Sequence, residues 1–237
     1  MTKYFGTLFT MVLGLATLLV AQQKAPDELL RRVDHLVYTT PDLKTGIDTI
    51  ERLVGVRASP GGQHPGMGTR NALIALGPST YLEIIGPDPE QPKPSGPLRF
   101  GIDDLKQPRL FTWVARATDL DALAAKAAQD GISLGAVISG RRQRPDGVLL
   151  TWRYTDPNTS VADRLVPYFI DWGASPHPAL TAAPGATLVA LRAEHPDAAR
   201  VQKMLAALGL ALAVQSGPKP ALIATLAGPK GRVELRN

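Results

Sequence analysis

Cysteine is absent from all 237 residues, which excludes disulfides, thiolate zinc sites, iron–sulfur clusters and cysteine nucleophiles together. Histidine is scarce as well. Only His35, His64, His177 and His195 occur, so any imidazole ligand or base must come from these four. Aromatic residues make up 5% of the chain and there is no dense Lys/Arg tract, so the net charge of +5 carries no nucleic-acid signature. No Gly-rich phosphate fingerprint, nucleophile elbow or His-Glu-x-x-His helix is present, which removes nucleotide hydrolases, serine hydrolases and the common metalloproteases. What remains is 44% hydrophobic with 22 Gly and 21 Pro. That composition describes a globular chain long enough to bury a core.

The N-terminus reads as a targeting segment. Met1 to Lys3 is short and positive, Tyr4 to Ala21 runs without a charge, and Gln22-Gln23-Lys24 turns polar. This predicts a secretory signal over residues 1–21, with cleavage after the small Ala21, and a periplasmic or secreted product. The alternative is a membrane anchor formed by residues 4–21, since 18 apolar residues almost cross a bilayer. A chain without thiols suits an oxidising compartment.

Beyond residue 33 one pattern recurs three times. VDHLVYTT (33–40) predicts a strand, Thr40-Pro41-Asp42 a helix start, and Leu43, Ile47, Ile50 and Val54 a helical face that Gly55 ends. Strands are expected at 56–59, 71–76 and 81–85. The second copy begins at LFTWVARA (110–117), starts its helix at Thr118-Asp119 and closes it at Gly131, with strands at 132–139, 148–154 and 165–172. The third begins at TLVALRA (187–193), with a helix after His195-Pro196-Asp197 and strands at 211–215, 221–227 and 232–236. The expected organisation is therefore α+β, with βαβββ-like units at 33–89, 110–173 and 187–237. A Pro-rich linker (87–109) and a second linker (174–184) separate them.

Several residues can carry chemistry. His35 on a first strand and Glu83 on a last strand are suitable ligands for zinc, iron, manganese or nickel, although a buried histidine satisfied by a backbone carbonyl is the commoner case. The stretch GGQHPGMGTRNALIALG (61–77) reads as a Gly-rich loop that carries His64 and leads through Arg70 and Asn71 into a strand. His177 lies in a turn between two prolines, and Glu234 holds the place in unit three that Glu83 holds in unit one. His195 belongs to a helix entrance and is set apart from chemistry. Arg141, Arg142 and Arg144 form a basic loop suited to attract an anionic substrate, although a charge run between strands is ordinarily a solvated turn. All three tryptophans lie in unit two, where Trp113 is a candidate pocket wall.

VDHLVYTTPDL, GGxHPGxGTxN, YLEIIGPDP and the later YFIDWG with its nearby His-Pro resemble the glyoxalase-like branch of the vicinal oxygen chelate superfamily over residues 33–178. The resemblance implies paired βαβββ modules curled into an incomplete barrel around a pocket, with a third unit appended at the C-terminus. It also implies His35 and Glu83 as ligands of a divalent metal, with Glu234 the unit-three counterpart. In unit two the matching places hold Thr112 and Tyr168, so a four-ligand site is incomplete and ring-cleaving dioxygenase chemistry is excluded.

The expected function is an exported, metal-dependent lyase, isomerase or hydrolase acting on a small oxygenated molecule. The metal would polarise a carbonyl or stabilise an enolate, and His64 would move the proton. Arg70, Asn71, Trp113 and His177 are the expected substrate contacts. The rival is a metal-free protein of the same fold that binds or sequesters a small molecule.

Overall fold

A computed structural model describes residues 28–237, so the expected signal or anchor at 1–21 lies outside the described residues. Among the described residues no helix is long and apolar enough to cross a membrane.

The first unit comprises β1 (Val33–Thr39), α1 (Leu43–Val54), β2 (Ser59–His64), β3 (Thr69–Gly77) and β4 (Thr80–Pro87). The second comprises β5 (Arg109–Arg116), α2 (Leu120–Gln129), β6 (Val137–Gln143), β7 (Leu149–Thr155) and β8 (Tyr168–Asp171). The third comprises β9 (Thr187–His195), α3 (Ala198–Ala207), β10 (Ala213–Ser216), β11 (Ala221–Gly228) and β12 (Gly231–Arg236). An aspartate starts each helix. Asp42, Asp119 and Asp197 accept backbone N–H groups from Thr45, Ala122 and Arg200 at 2.7, 3.0 and 3.2 Å, satisfying donors that a first turn otherwise leaves open. Gly55 ends α1 at φ 85, where a side chain would be strained.

The first two units share one eight-stranded sheet in the order β2-β3-β4-β1-β5-β8-β7-β6. Within each unit the first strand pairs parallel with the last, β1 with β4 and β5 with β8, and β1 and β5 join antiparallel at the centre. Every residue of β1 is buried, which explains its unbroken apolar run. The sheet curls so that edge strands β2 and β6 approach each other. No ladder closes this seam; the guanidinium of Arg142 on β6 donates to the carbonyl of Gly61 on β2 instead. Inside the curl lie Val37, Ile85, Phe111, Val114, Tyr154 and Ile170. Outside, Leu36, Ile50, Ile84, Trp113 and Phe169 pack with the helices and the third unit.

The third unit has the expected element order but a different sheet, β10-β9-β11-β12. Its first strand pairs parallel with the strand just after the helix, so it is not a third copy of the barrel module. It packs behind the barrel. Gly228 lies so close to Val54 that a Cβ there would come within 2.4 Å of the Val54 carbonyl oxygen, and the second linker joins β3 through the Ala75 N–H and the Ala183 carbonyl at 2.8 Å.

Two further expectations are revised. The Gly-rich stretch is a hairpin: 59–64 is β2, and only residues 65–68 turn before β3. The linker at 87–109 carries a 3-10 segment, Arg99–Asp104, that lies on the barrel interior through Phe100 and Ile102. Phe100 has φ 62, and Ala162, Asp163 and Arg164 form a run at φ 47, 53 and 69, a region that costs non-glycine residues about 1 kcal/mol each. That run is held by Thr112, whose hydroxyl donates to the Arg164 carbonyl at 3.1 Å, and by His195 against Asp163 at 3.1 Å.

Candidate functional site

A narrow cavity of about 50 Å³ opens inside the curled sheet. His35 from β1 and Glu83 from β4 point into it, because in the parallel β1–β4 pair His35 stands opposite Tyr81 and Val37 opposite Glu83, which puts both side chains on the inner face. His64 and Asn71 come from the β2–β3 hairpin, and Tyr168 from β8.

Asp34 fixes His35 from behind. Its carboxylate accepts from His35 Nδ1 at 2.8 Å, His177 Nε2 at 3.2 Å and Trp172 Nε1 at 3.2 Å. Burial pushes this carboxyl up, but the hydrogen bonds from His177 and His35 outweigh it and hold it well below the usual range. The His177 tautomer follows from its other nitrogen, which accepts the Ala179 N–H at 3.2 Å, so Nε2 carries the proton. With His35 donating through Nδ1, its Nε2 faces the cavity as a lone pair. Tyr81 stacks on the imidazole at 4.6 Å between centroids and holds its plane.

Three acceptors meet here. His35 Nε2 lies 3.9 Å from Glu83 Oε2, and His64 Nε2 lies 3.7 Å from Oε1. Burial pushes the His64 pKa down to about 4, and Arg142 and Arg99 push the same way against the pull of Glu83, so this imidazole is neutral at neutral pH. Its Nδ1 bonds Thr69 Oγ1 at 2.9 Å. Hydrogens come from two neighbours. Asn71 Nδ2 donates to Glu83 Oε1 at 2.6 Å and bonds His64 Nε2 at 3.3 Å, while the Tyr168 hydroxyl stands 3.3 Å from His35 Nε2. Burial pushes the Tyr168 pKa well up, so the phenol keeps its proton. The Asn71 carbonyl oxygen is buried without a partner and abuts Gly61, where a Cβ would stand 2.1 Å away. Only glycine leaves room for it.

Two imidazole nitrogens and a carboxylate are the donor chemistry of a zinc, iron, manganese or nickel site, and the Asp34–His35 bond is the outer-shell carboxylate such a histidine ordinarily has. Among the described residues no three His, Asp or Glu side chains are gathered at metal-binding distance. The donors fit a divalent ion by type, and Asn71 and Tyr168 already bring a hydrogen to each of them.

The other expected site residues lie elsewhere. Trp113 is fully buried on the outer face and donates its indole N–H to the Leu165 carbonyl at 2.9 Å, so it forms core and no pocket wall. Arg70 points away from the cavity toward Glu90 at 3.1 Å, because alternation along β3 turns it outward when Asn71 turns in. Glu234 is an exposed partner of Arg192 at 3.1 Å in the separate sheet, remote from any ligand set. His177 stands behind Asp34 and does not line the cavity. Thr112 is turned to the Arg164 carbonyl, whereas Tyr168, the other mismatch in unit two, reaches His35. Residues not anticipated as site members are Asp34, Tyr81, Tyr168, Arg99 and Trp152, while Arg142 enters the cavity from the basic loop. The Asp-His pair at 34–35 and the alternation of Trp152 with Tyr154 on one strand face were their visible signals.

The sequence profile of the glyoxalase-like domain family matches residues 33–209. No curated protein matches the chain. Among solved structures, a hypothetical protein from Staphylococcus aureus is 14% identical, with TM-score 0.53 over 86% of this chain and 84% of its own. Methylmalonyl-CoA epimerase from Mycobacterium tuberculosis is 17% identical over 60% of this chain and 88% of its own, with TM-score 0.39. At such identity the Staphylococcus likeness is one of fold. The profile spans both barrel modules and their inward-facing His35, His64 and Glu83, and the chain belongs to the glyoxalase-like domain family.

Proposed function

We propose that the protein is an exported enzyme of lyase, isomerase or hydrolase type acting on a small oxygenated molecule, with a divalent metal held by His35 and Glu83. The observation that carries this is the meeting of His35 Nε2, His64 Nε2 and the Glu83 carboxylate across 3.7 and 3.9 Å. Such a set calls for a cation or a donor-bearing ligand. When bound, the metal would supply Lewis-acid polarisation of a substrate oxygen.

The protein's own groups do the rest. Asp34 keeps the His35 proton on Nδ1 and its lone pair toward the cavity. His64, neutral above about pH 4, accepts a proton from a carbon or hydroxyl seated beside Glu83. Asn71 holds the Glu83 carboxylate in place, and the aromatic walls keep bulk water out. The charge-free stretch at 4–21 supports the assignment to export.

The test is the metal content of the purified chain beside His35→Ala and Glu83→Ala. Stoichiometric metal lost in both variants is expected. A parent without metal, and without a rise in Tm on adding zinc, nickel or manganese, would overturn the metal assignment. The second reading, a metal-free binding protein, is favoured by the hydrogens that Asn71 and Tyr168 already supply at 2.6 and 3.3 Å, and it is the one that such a result would leave.

A further inference from the structure

Two guanidinium groups line the same cavity, and the acid–base chemistry gives them no task. Arg142 is 3% exposed, yet among the described residues no carboxylate stands within ion-pair distance of it. Its one protein acceptor there is the carbonyl of Gly61. Arg99 also lacks a carboxylate partner among the described residues; its guanidinium lies 5.4 Å over the Tyr154 ring and donates to the Tyr154 hydroxyl. Both line the cavity that holds His64 and Glu83, and both are near enough to disfavour protonation of His64.

A buried cation without a counter-ion is costly. Glu83 offers one negative charge to two guanidinium groups, and one of its oxygens already accepts from Asn71. The cavity is thus short of one anion. It holds about 50 Å³, space for roughly three or four waters, which suits an occupant of a few heavy atoms at its inner end. Phe100, Trp152 and Tyr154 wall the guanidinium end, so the anion would be out of water and strongly held.

We propose that Arg99 and Arg142 seat the carboxylate of the substrate, and that the substrate is a short carboxylic acid bearing a hydroxyl or oxo oxygen on the neighbouring carbon. The carboxylate satisfies the two guanidinium groups, and the adjacent oxygen reaches the acceptor cluster of His35, His64 and Glu83. A hydroxyl brings that cluster a further hydrogen, so the 2-hydroxy acid is the better fit to the metal-free site. This assignment rests on the cavity being the site described above, but it requires neither metal nor turnover.

The test uses the full chain and calorimetric titration with lactate, pyruvate, hydroxyacetone and inorganic phosphate, with and without added zinc. Lactate or pyruvate is expected to bind at least about tenfold more tightly than hydroxyacetone, their uncharged counterpart. Arg99→Gln, at a half-buried position less exposed to folding failure than Arg142, is expected to weaken the acids at least tenfold while leaving zinc uptake unchanged. Arg99→Lys should restore part of the affinity. Equal binding of hydroxyacetone, tighter binding of phosphate than of either acid, or unchanged acid binding in Arg99→Gln would overturn the proposal. Acid binding that persists in a protein without metal would support the carboxylate seat while removing the metal assignment. Metal uptake without acid binding would do the reverse.

Discussion

His177 donates its Nε2 proton to one oxygen of the Asp34 carboxylate, while His35 donates to the other from the cavity side. A turn outside the barrel thus sets the orientation of an imidazole inside it. His177→Ala is expected to lower stability by about 1–3 kcal/mol, the cost of leaving a buried charged acceptor short of a donor. It should also weaken metal or ligand affinity by about 10–100-fold, as outer-shell changes commonly do. Urea unfolding and titration with zinc check the two effects separately.

Stability should rise with pH through the mildly acidic range. His64 is held near pKa 4 when folded and returns to about 6.5 when unfolded, so between these values the unfolded chain binds a proton that the folded one does not. A group depressed in this way favours folding above pH 6.5 by up to about 3 kcal/mol relative to pH below 4. Asp34 acts in the same direction at lower pH: its depressed pKa contributes stability that is full above about pH 4 and lost on further acidification. Denaturant midpoints from pH 4 to 8 should climb and then level, and His64→Gln should flatten the portion between 4 and 6.5.

Gly61→Ala should act through Asn71. The new methyl meets the Asn71 carbonyl oxygen, so either β2 shifts or Asn71 leaves Glu83. A loss of about 1–3 kcal/mol is expected. Combining it with Asn71→Ala, which makes room for the methyl, should cost less than the sum of the two single changes. Additive losses would show that the two residues act independently.

Trp113→Phe should cost about 1–2 kcal/mol, for a buried indole N–H bond lost with a small void left behind. It should leave ligand and metal binding unchanged, since the side chain lies on the outer face. Glu234→Ala, at an exposed ion pair, should change stability by less than about 0.5 kcal/mol and metal content not at all.

The helix starts were legible because capping is local: Asp42, Asp119 and Asp197 act within three residues of themselves. His35 and Glu83 were singled out by the resemblance, which sets ligands on the first and last strands of a module, and both line the cavity. The third unit was legible in its element order but not in its strand order, because one βαβββ pattern is compatible with more than one strand order, and the choice depends on what the sheet packs against. Ser59 to His64 has two glycines and a proline and low strand propensity, yet pairing with β3 overrides it. Arg99 lay in a segment whose composition says linker, and nothing local reveals that the linker folds across a cavity. Trp113 was misplaced by one strand face, a distinction that the bulges in the β1–β5 pairing blur, and Arg70 by one residue of alternation along β3, where Asn71 is the one that turns in.

The left-handed run at Ala162, Asp163 and Arg164 bears on the order of folding. The contacts that hold it come from Thr112 and Trp113 on β5 and His195 at the end of β9, far apart along the chain. A strained turn of non-glycine residues has little reason to persist before those partners arrive, so it is expected among the last parts of the molecule to set. Tyr168 begins β8 four residues past Arg164. The His195–Asp163 contact therefore ties the appended sheet to the segment that leads into the Tyr168 wall, although that sheet contributes no residue to the cavity.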